Sequence, residues 1–307
     1  MAAGSSSMHR ATHMTRSIPE AIALDAPSFS FEFFPPKDDA AEAQLWEAIR
    51  RLEKTHPTFV SVTYGAGGTT RDRTVRVTER IARETTLTPM AHLTCVGHSV
   101  TELRRIVGSY ADAGIRNILA LRGDPQGGLG RDWTRHPEGL DYAEQLVGLV
   151  RGLGSFTVGV AAFPDQHPES PSLDFDADVL VRKAAAGAQF AITQFFFTTW
   201  AYLALRDRVV ARGCDIPIIP GLMPVTNVKQ LARMTQLSGQ PVPRWVTARL
   251  ERVADDPDAV RAVGVEIATE LAGELLAEGA PGIHFITMNR SPATLRVWEN
   301  LGVAAAH

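Results

Sequence analysis

The stretch FSFEFFPPK at residues 29–37 sets one carboxylate, Glu32, among four phenylalanines and two prolines. An unpaired buried charge is costly, and carboxyls so placed shift their pKa or find a partner. Glu32 therefore faces water, pairs with a base, or moves protons. Further polar residues end other apolar runs. LALRGDP carries Arg122, Gly123 and Asp124, which could hold a charged ligand or pair with each other. AITQFFF carries Gln194, whose amide beside aromatics suits a flat heterocycle with donor and acceptor edges, or a structural hydrogen bond. AHLTC carries His92, by itself more typical of a hydrogen-bonded core histidine than of a catalyst. FPDQHPESP carries His167 between prolines, and DFDADVLVRK puts Asp176 and Lys183 seven apart, two turns along one helix face. VTYGAGG carries Thr63 before glycines that fit a phosphate loop or a tight turn. No HExxH, GxSxG or Walker sequence is present, nor a CxxC pair around Cys95 or Cys214.

These residues need a frame that gathers them. Eight β-rich runs are readable, at 29–34, 58–64, 89–95, 116–122, 156–163, 190–196, 215–221 and 282–288. Between them lie amphipathic stretches such as 41–55, with Leu45, Trp46, Ile49 and Leu52 on one face, and 71–85 and 99–114. Strand then helix, repeated, implies parallel strands with right-handed crossovers. A count of eight selects a single (β/α)8 TIM barrel over an open doubly wound sheet. The gap before the last run leaves room for two or three helices. In such a barrel, chemistry sits at the C-terminal strand ends. Alternation along the first run places Ser30, Glu32 and Phe34 on one face and Phe29, Phe31 and Phe33 on the other. An acid against the helix layer makes little sense, so Glu32 is expected to point into the barrel near its mouth.

Composition sets outer limits. Of 307 residues 45% are hydrophobic and 21% charged, which suits a soluble globule. The formal net charge of −3 gives no bulk attraction to nucleic acid or membrane. Two cysteines fit a reducing cytoplasm rather than a disulfide scaffold. Residues 1–24 read as a disordered tail with a short helix near its end, and 25–307 as one catalytic barrel domain.

Taken in order, FSFEFFPPK, FVSVTYGAGG, AHLTC, ILALRGDP, AITQFFF, IIPGLMPVTN and GIHFITMNR resemble the bacterial methylenetetrahydrofolate reductases. The resemblance spans about residues 29–303, with no counterpart of the regulatory domain found in eukaryotic members. It implies a (β/α)8 barrel with noncovalent FAD. There, NADH or NADPH reduces the flavin and leaves. 5,10-Methylenetetrahydrofolate then takes its place and becomes 5-methyltetrahydrofolate, which feeds methionine synthesis. By this resemblance Glu32 is the general acid that opens the folate ring, with a carboxyl pKa raised by an aromatic pocket, and Asp124 is a second catalytic carboxylate. Gln194, Gln230 and Arg290 match substrate-binding positions. Thr63, His92, Arg122, Gly123, Asp124, Tyr142, Ala143, His167, Asp176, Arg182 and Lys183 match FAD-binding positions. No metal is implied. Homo-oligomers are common among relatives.

The sequence departs from the family at Met234, where a phenylalanine is usual, at Thr198 for an aspartate and at Phe163 for a tyrosine. Two alternatives within reach of the same residues are a flavin-independent reductase with direct hydride transfer from NADH, and a folate-binding barrel without catalysis. A metal-dependent barrel enzyme would need a carboxylate–histidine cluster at the strand ends, which the sequence lacks.

Overall fold

The computed structural model describes residues 17–23, 26–64, 68–125 and 131–302. Gly65 and Gly67 of the glycine loop, and most of the N-terminal tail, lie outside them. Parallel strands run in the order β7-β6-β5-β4-β3-β2-β1-β9-β8. The strands are β1 (Ser28–Phe33), β2 (Phe59–Val62), β3 (Pro89–Thr94), β4 (Asn117–Leu121), β5 (Thr157–Ala162), β6 (Phe190–Thr193), β7 (Ile218–Ile219), β8 (Gly221–Leu222) and β9 (Gly282–Ile286). Helices α1 (Ile18–Ile22), α2 (Asp39–Glu53), α3 (Gly68–Glu84), α4 (Val100–Asp112), α5 (Ala143–Leu153), α6 (Leu173–Ala185), α7 (Thr199–Val210), α8 (Val228–Ser238), α9 (Arg244–Glu251), α10 (Pro257–Ala277) and α11 (Pro292–Asn300) alternate with them. The barrel fold expected from the sequence is the fold observed, and the long gap before the last strand holds α8, α9 and α10.

One expected strand is two. The run at 215–221 breaks at Pro220, which has no N–H to give to a ladder. Before it, Ile218–Ile219 pairs with β6; after it, Gly221–Leu222 pairs with β9. The two dipeptides thus bring the ends of the sheet together, and the Pro220 carbonyl accepts the backbone N–H of His284 at 2.9 Å.

The pleat sorts side chains between two layers. Phe29, Phe31 and Phe33 point outward into the cluster that holds Leu45, Ile49 and Leu52 of α2. Phe59, Met90, Leu119, Phe190, Ile192 and Ile219 form a separate interior cluster, which also takes Ile18 and Ile22 of α1. Helix α1 is five residues long and holds its start with a capping box, Ser17 to Glu20.

Candidate active site

Glu32 lies in β1, one residue before its end, and its side chain is 15% exposed. Its neighbours come from β3 and β9, which only an inward-facing side chain can reach together. His92 Nε2 is 3.6 Å and His284 Nε2 3.5 Å from the same carboxylate oxygen. His284 is fixed from behind, since its Nδ1 is 2.7 Å from Ser30 Oγ, and its Nε2 also lies 3.4 Å from Ser61 Oγ. A carboxylate only accepts, so the ring nitrogen facing Glu32 carries the hydrogen and Nδ1 accepts from the Ser30 hydroxyl. His92 Nε2 is buried and, among the described residues, has no partner within hydrogen-bond distance.

This environment corrects the expectation of a raised pKa at Glu32. Burial raises the carboxyl, but the hydrogen bond from His284 and the electrostatic pull of the His92 and His284 rings outweigh it, and the net position is below the ordinary value. Phe29, Phe31 and Phe33, three of the four phenylalanines that suggested an aromatic pocket, line the opposite face of the strand. His92 itself is held down to about 4, first by burial, with Glu32 opposing. The end of β1 is also clamped. The Glu32 carbonyl accepts from Thr287 N and Oγ1, and the Asn289 amide makes two bonds to the Phe34 backbone, at 2.8 and 2.9 Å.

Two further groups of expected residues assemble around the strand ends. Arg122, just past β4, pairs with Glu169 at 2.6 Å and lies over the Trp133 ring. Gly123 follows with φ +85°, where a Cβ would meet Val96 and Thr94, so only glycine fits. Trp133 Nε1 donates to the Gly123 carbonyl, and Asp124 is exposed beyond it. In the β5–α6 loop, the His167 backbone N–H donates to the buried Asp176 carboxylate at 2.9 Å. Lys183 is buried two turns further along α6, its Nζ donating to the Ala161 carbonyl at 2.9 Å. Burial lowers Lys183 to about 8, against the opposing pull of Asp176 and Glu144. His167 is also lowered, chiefly by burial and then by the Arg122 charge, with Asp176 and Lys183 close enough to act on it. Arg182 reaches Glu144 on α5 at 3.0 Å, beside Ala143 and the exposed Tyr142. Thr63 is half-buried at the end of β2, its carbonyl taken by Thr74.

The remaining candidates border one apolar cluster. Phe34, Phe195, Met223, Leu231, Met234 and Met288 belong to it. Gln194, half-buried, precedes Phe195 and turns its Oε1 to that residue's N–H at 3.0 Å. Gln230 precedes Leu231 on α8, with its Oε1 on the Thr226 hydroxyl. Arg290 follows Met288 and Asn289 and is exposed. Of the family departures, Met234 packs in this cluster, Phe163 sits edge-on to His167 at 4.6 Å, and Thr198 is the residue just before α7, without a side-chain capping bond.

Comparison with known proteins now adds a name to this arrangement. Residues 17–302 match the methylenetetrahydrofolate reductase family. The chain belongs to that family. A 5,10-methylenetetrahydrofolate reductase of Pectobacterium carotovorum is 43% identical over 275 residues, covering 89% of this chain and 90% of that one. The Escherichia coli K12 reductase is 42% identical over 274 residues, with the same coverage. Among solved structures, a Clostridium thermocellum protein described as binding two copies of 5-methyl-5,6,7,8-tetrahydrofolic acid aligns at TM-score 0.63 and 15% identity, over 93% of this chain and 96% of its own. A Yersinia pestis DHPS with a pterine-sulfa conjugate aligns at 0.51 and 16%, over 91% and 92%. At those identities the likeness concerns the fold.

His284 is the site residue that the sequence reading missed. The alternation that turned Glu32 inward also turns His284 inward between Ile283 and Phe285, so the signal was present in GIHFI. Asn289 gave none, because its role depends on a left-handed backbone at φ 57°.

Proposed function

We propose that this chain reduces 5,10-methylenetetrahydrofolate to 5-methyltetrahydrofolate with NAD(P)H, with Glu32 as general acid and FAD as the bound carrier. The observation that carries the reading is the inward Glu32 at the barrel mouth, flanked by His92 and His284. A carboxylate held among ring N–H donors is a proton-handling group, and binding alone would not require it.

The residues present fit FAD. Arg122 and Lys183 lie beside His167 and Arg182 lies close to Lys183, a set of cations that suits an anionic diphosphate, and the exposed Tyr142 offers an aromatic face near Arg182. FAD bound there would supply a hydride carrier that accepts from the nicotinamide and gives to the folate, the two taking turns. His92, whose buried Nε2 makes no hydrogen bond among the described residues, and Thr63, Gly123, Asp124, Ala143 and Asp176 complete the set that would hold it.

On the substrate side, Gln194 would read the pterin edge, Met234 and Phe195 would cover its face, Gln230 would add an amide contact, and Arg290 would meet the carboxylate tail. In the unliganded protein Glu32 is a carboxylate at neutral pH, since its lowered pKa leaves it ionised. A pterin over the barrel mouth would exclude water from Glu32, and desolvation is the effect that raises it. As the folate enters, Glu32 would take up a proton from the departing water and pass it to a ring nitrogen; the C–N bond to that nitrogen breaks with its electron pair staying on the nitrogen, and the five-membered ring opens to the iminium that accepts hydride. Asp124, acidic and exposed past Gly123, would stabilise that cation.

NADH is the reductant to test first, because an Arabidopsis thaliana relative 34% identical over 287 residues is named methylenetetrahydrofolate reductase (NADH) 1. The test is a visible spectrum of the purified protein, followed by anaerobic NADH and then methylenetetrahydrofolate. A flavin band that bleaches with NADH and returns with the folate is the expected result. No flavin band after FAD is supplied, with NADH still consumed alongside the folate, would favour direct hydride transfer. No consumption at all would sink the reductase reading.

A further inference from the structure

The cations assigned to the flavin diphosphate are already matched by acids. Arg122 pairs with Glu169 at 2.6 Å and Arg182 with Glu144 at 3.0 Å, while Lys183 shares α6 with Asp176, whose charge acts on it. Three positive groups therefore face three negative ones, and a dianionic diphosphate would meet little net attraction. One acid has to give way. Asp176 is fixed, because it is buried and holds the His167 backbone N–H. Glu144 is anchored in the first turn of α5 and acts on the exposed Arg182. Glu169 differs from both in its backbone, which is loop where theirs is helix. It lies in the β5–α6 loop, its side chain is 35% exposed, and the one hydrogen bond its carboxylate makes among the described residues is to Arg122. Arg122 does not depend on Glu169 for its position, because its guanidinium also rests on the Trp133 ring, at 5.3 Å from the ring centre, and Trp133 is tied to the Gly123 carbonyl.

Resting on the FAD reading above, we propose that Glu169 is an internal counter-ion that occupies the Arg122 guanidinium when no flavin is bound and swings off it when the diphosphate enters. Glu169 thus competes with FAD for one cation. It keeps Arg122 neutralised in the empty protein and weakens the loaded state. The Trp133 stack keeps the guanidinium aimed during the exchange.

The test titrates the full-length chain, freed of flavin, with FAD, ADP and riboflavin, at low and high salt. Wild type, Glu169→Gln, Arg122→Gln and the double variant are compared by fluorescence. Glu169→Gln is expected to bind FAD and ADP about tenfold more tightly, as one charge-assisted competitor is removed. It should also make binding more sensitive to salt and leave riboflavin, which has no diphosphate, unchanged. In the Arg122→Gln background the gain should vanish. Weaker or unchanged FAD binding by Glu169→Gln, with Arg122→Gln still damaging, would overturn the counter-ion and leave the flavin site standing. Failure of every form to bind FAD would overturn the flavin site and the counter-ion with it.

Discussion

At the residue scale the decisive fact is that Glu32 keeps company with imidazoles rather than phenylalanines. Alternation along β1 was enough to place it inward, because the pleat has a fixed period of two. Its pKa was not legible, since His92 and His284 come from strands far away in sequence, and a single run says nothing about what faces it across a barrel. If Glu32 is the proton donor, Glu32→Gln should leave NADH-dependent flavin reduction nearly intact and slow the folate half about 10²–10⁴-fold, the range of general acid catalysis. Rapid-mixing measurements of the two halves decide this, and equal loss in both would contradict the role. His92 supplies a test of its environment through stability. Its folded pKa of about 4 lies below the ordinary 6.5, so above 6.5 neither state is protonated. Between 6.5 and 4 the unfolded chain takes a proton that the folded one refuses, and stability falls as pH falls. From pH 7.5 to 5 that loss is about 2 kcal/mol. Urea unfolding of flavin-free His92→Asn should show a fall smaller by about that amount. A fall as steep as the wild type's would mean that His92 is not held neutral.

At the element scale most of the frame could be read from the chain. The β-rich runs and the amphipathic stretches appear where hydrophobic periodicity put them, within a few residues at the ends. The exception is the seventh run, where Pro220 splits one expected strand into two with different partners. Two prolines in DIPIIPG hint at a weak strand, but which neighbour each half joins depends on barrel closure, a property of the whole sheet. The loop after β8 leads into α8, which carries Gln230 and Met234 of the proposed substrate side. That loop is pressed against α10 at Gly264, where an added Cβ would fall on the Val225 carbonyl oxygen. Two effects compete in Gly264→Ala. Helix propensity favours alanine by about 1 kcal/mol. Overlap with a backbone atom cannot be relieved by a rotamer change and costs about 1–3 kcal/mol. The clash should win, so Tm should fall, and the KM for the folate should rise as the loop and α8 shift. A rise in Tm would show that the contact is loose and that propensity governs.

At the scale of the whole molecule, the barrel separates what holds it together from what it does. The candidate site lies at the C-terminal strand ends, and in this architecture the opposite end serves stability. Helix α1 packs into the interior cluster with Ile18 at 1% and Ile22 at 4% exposure, against Phe59, Met90 and Phe190. Phe59 precedes Ser61 on β2, and Met90 precedes His92 on β3, so these apolar side chains lie one interior step below the polar groups around Glu32. A buried isoleucine cut to alanine costs about 2–5 kcal/mol where the surroundings cannot relax. A five-residue helix near the chain's start can instead undock, which limits the penalty to its own docking energy. Ile18→Ala with Ile22→Ala should therefore lower Tm by less than twice the single change. At 25 °C, kcat for both half-reactions should stay within about twofold, since the reacting groups are on another interior layer. Thermal unfolding and rapid mixing on the same preparations provide the check. Loss of folate reduction in a double variant that still unfolds cooperatively would mean that α1 helps to set the His92–Glu32–His284 geometry from below, and that the two ends of this barrel are not independent.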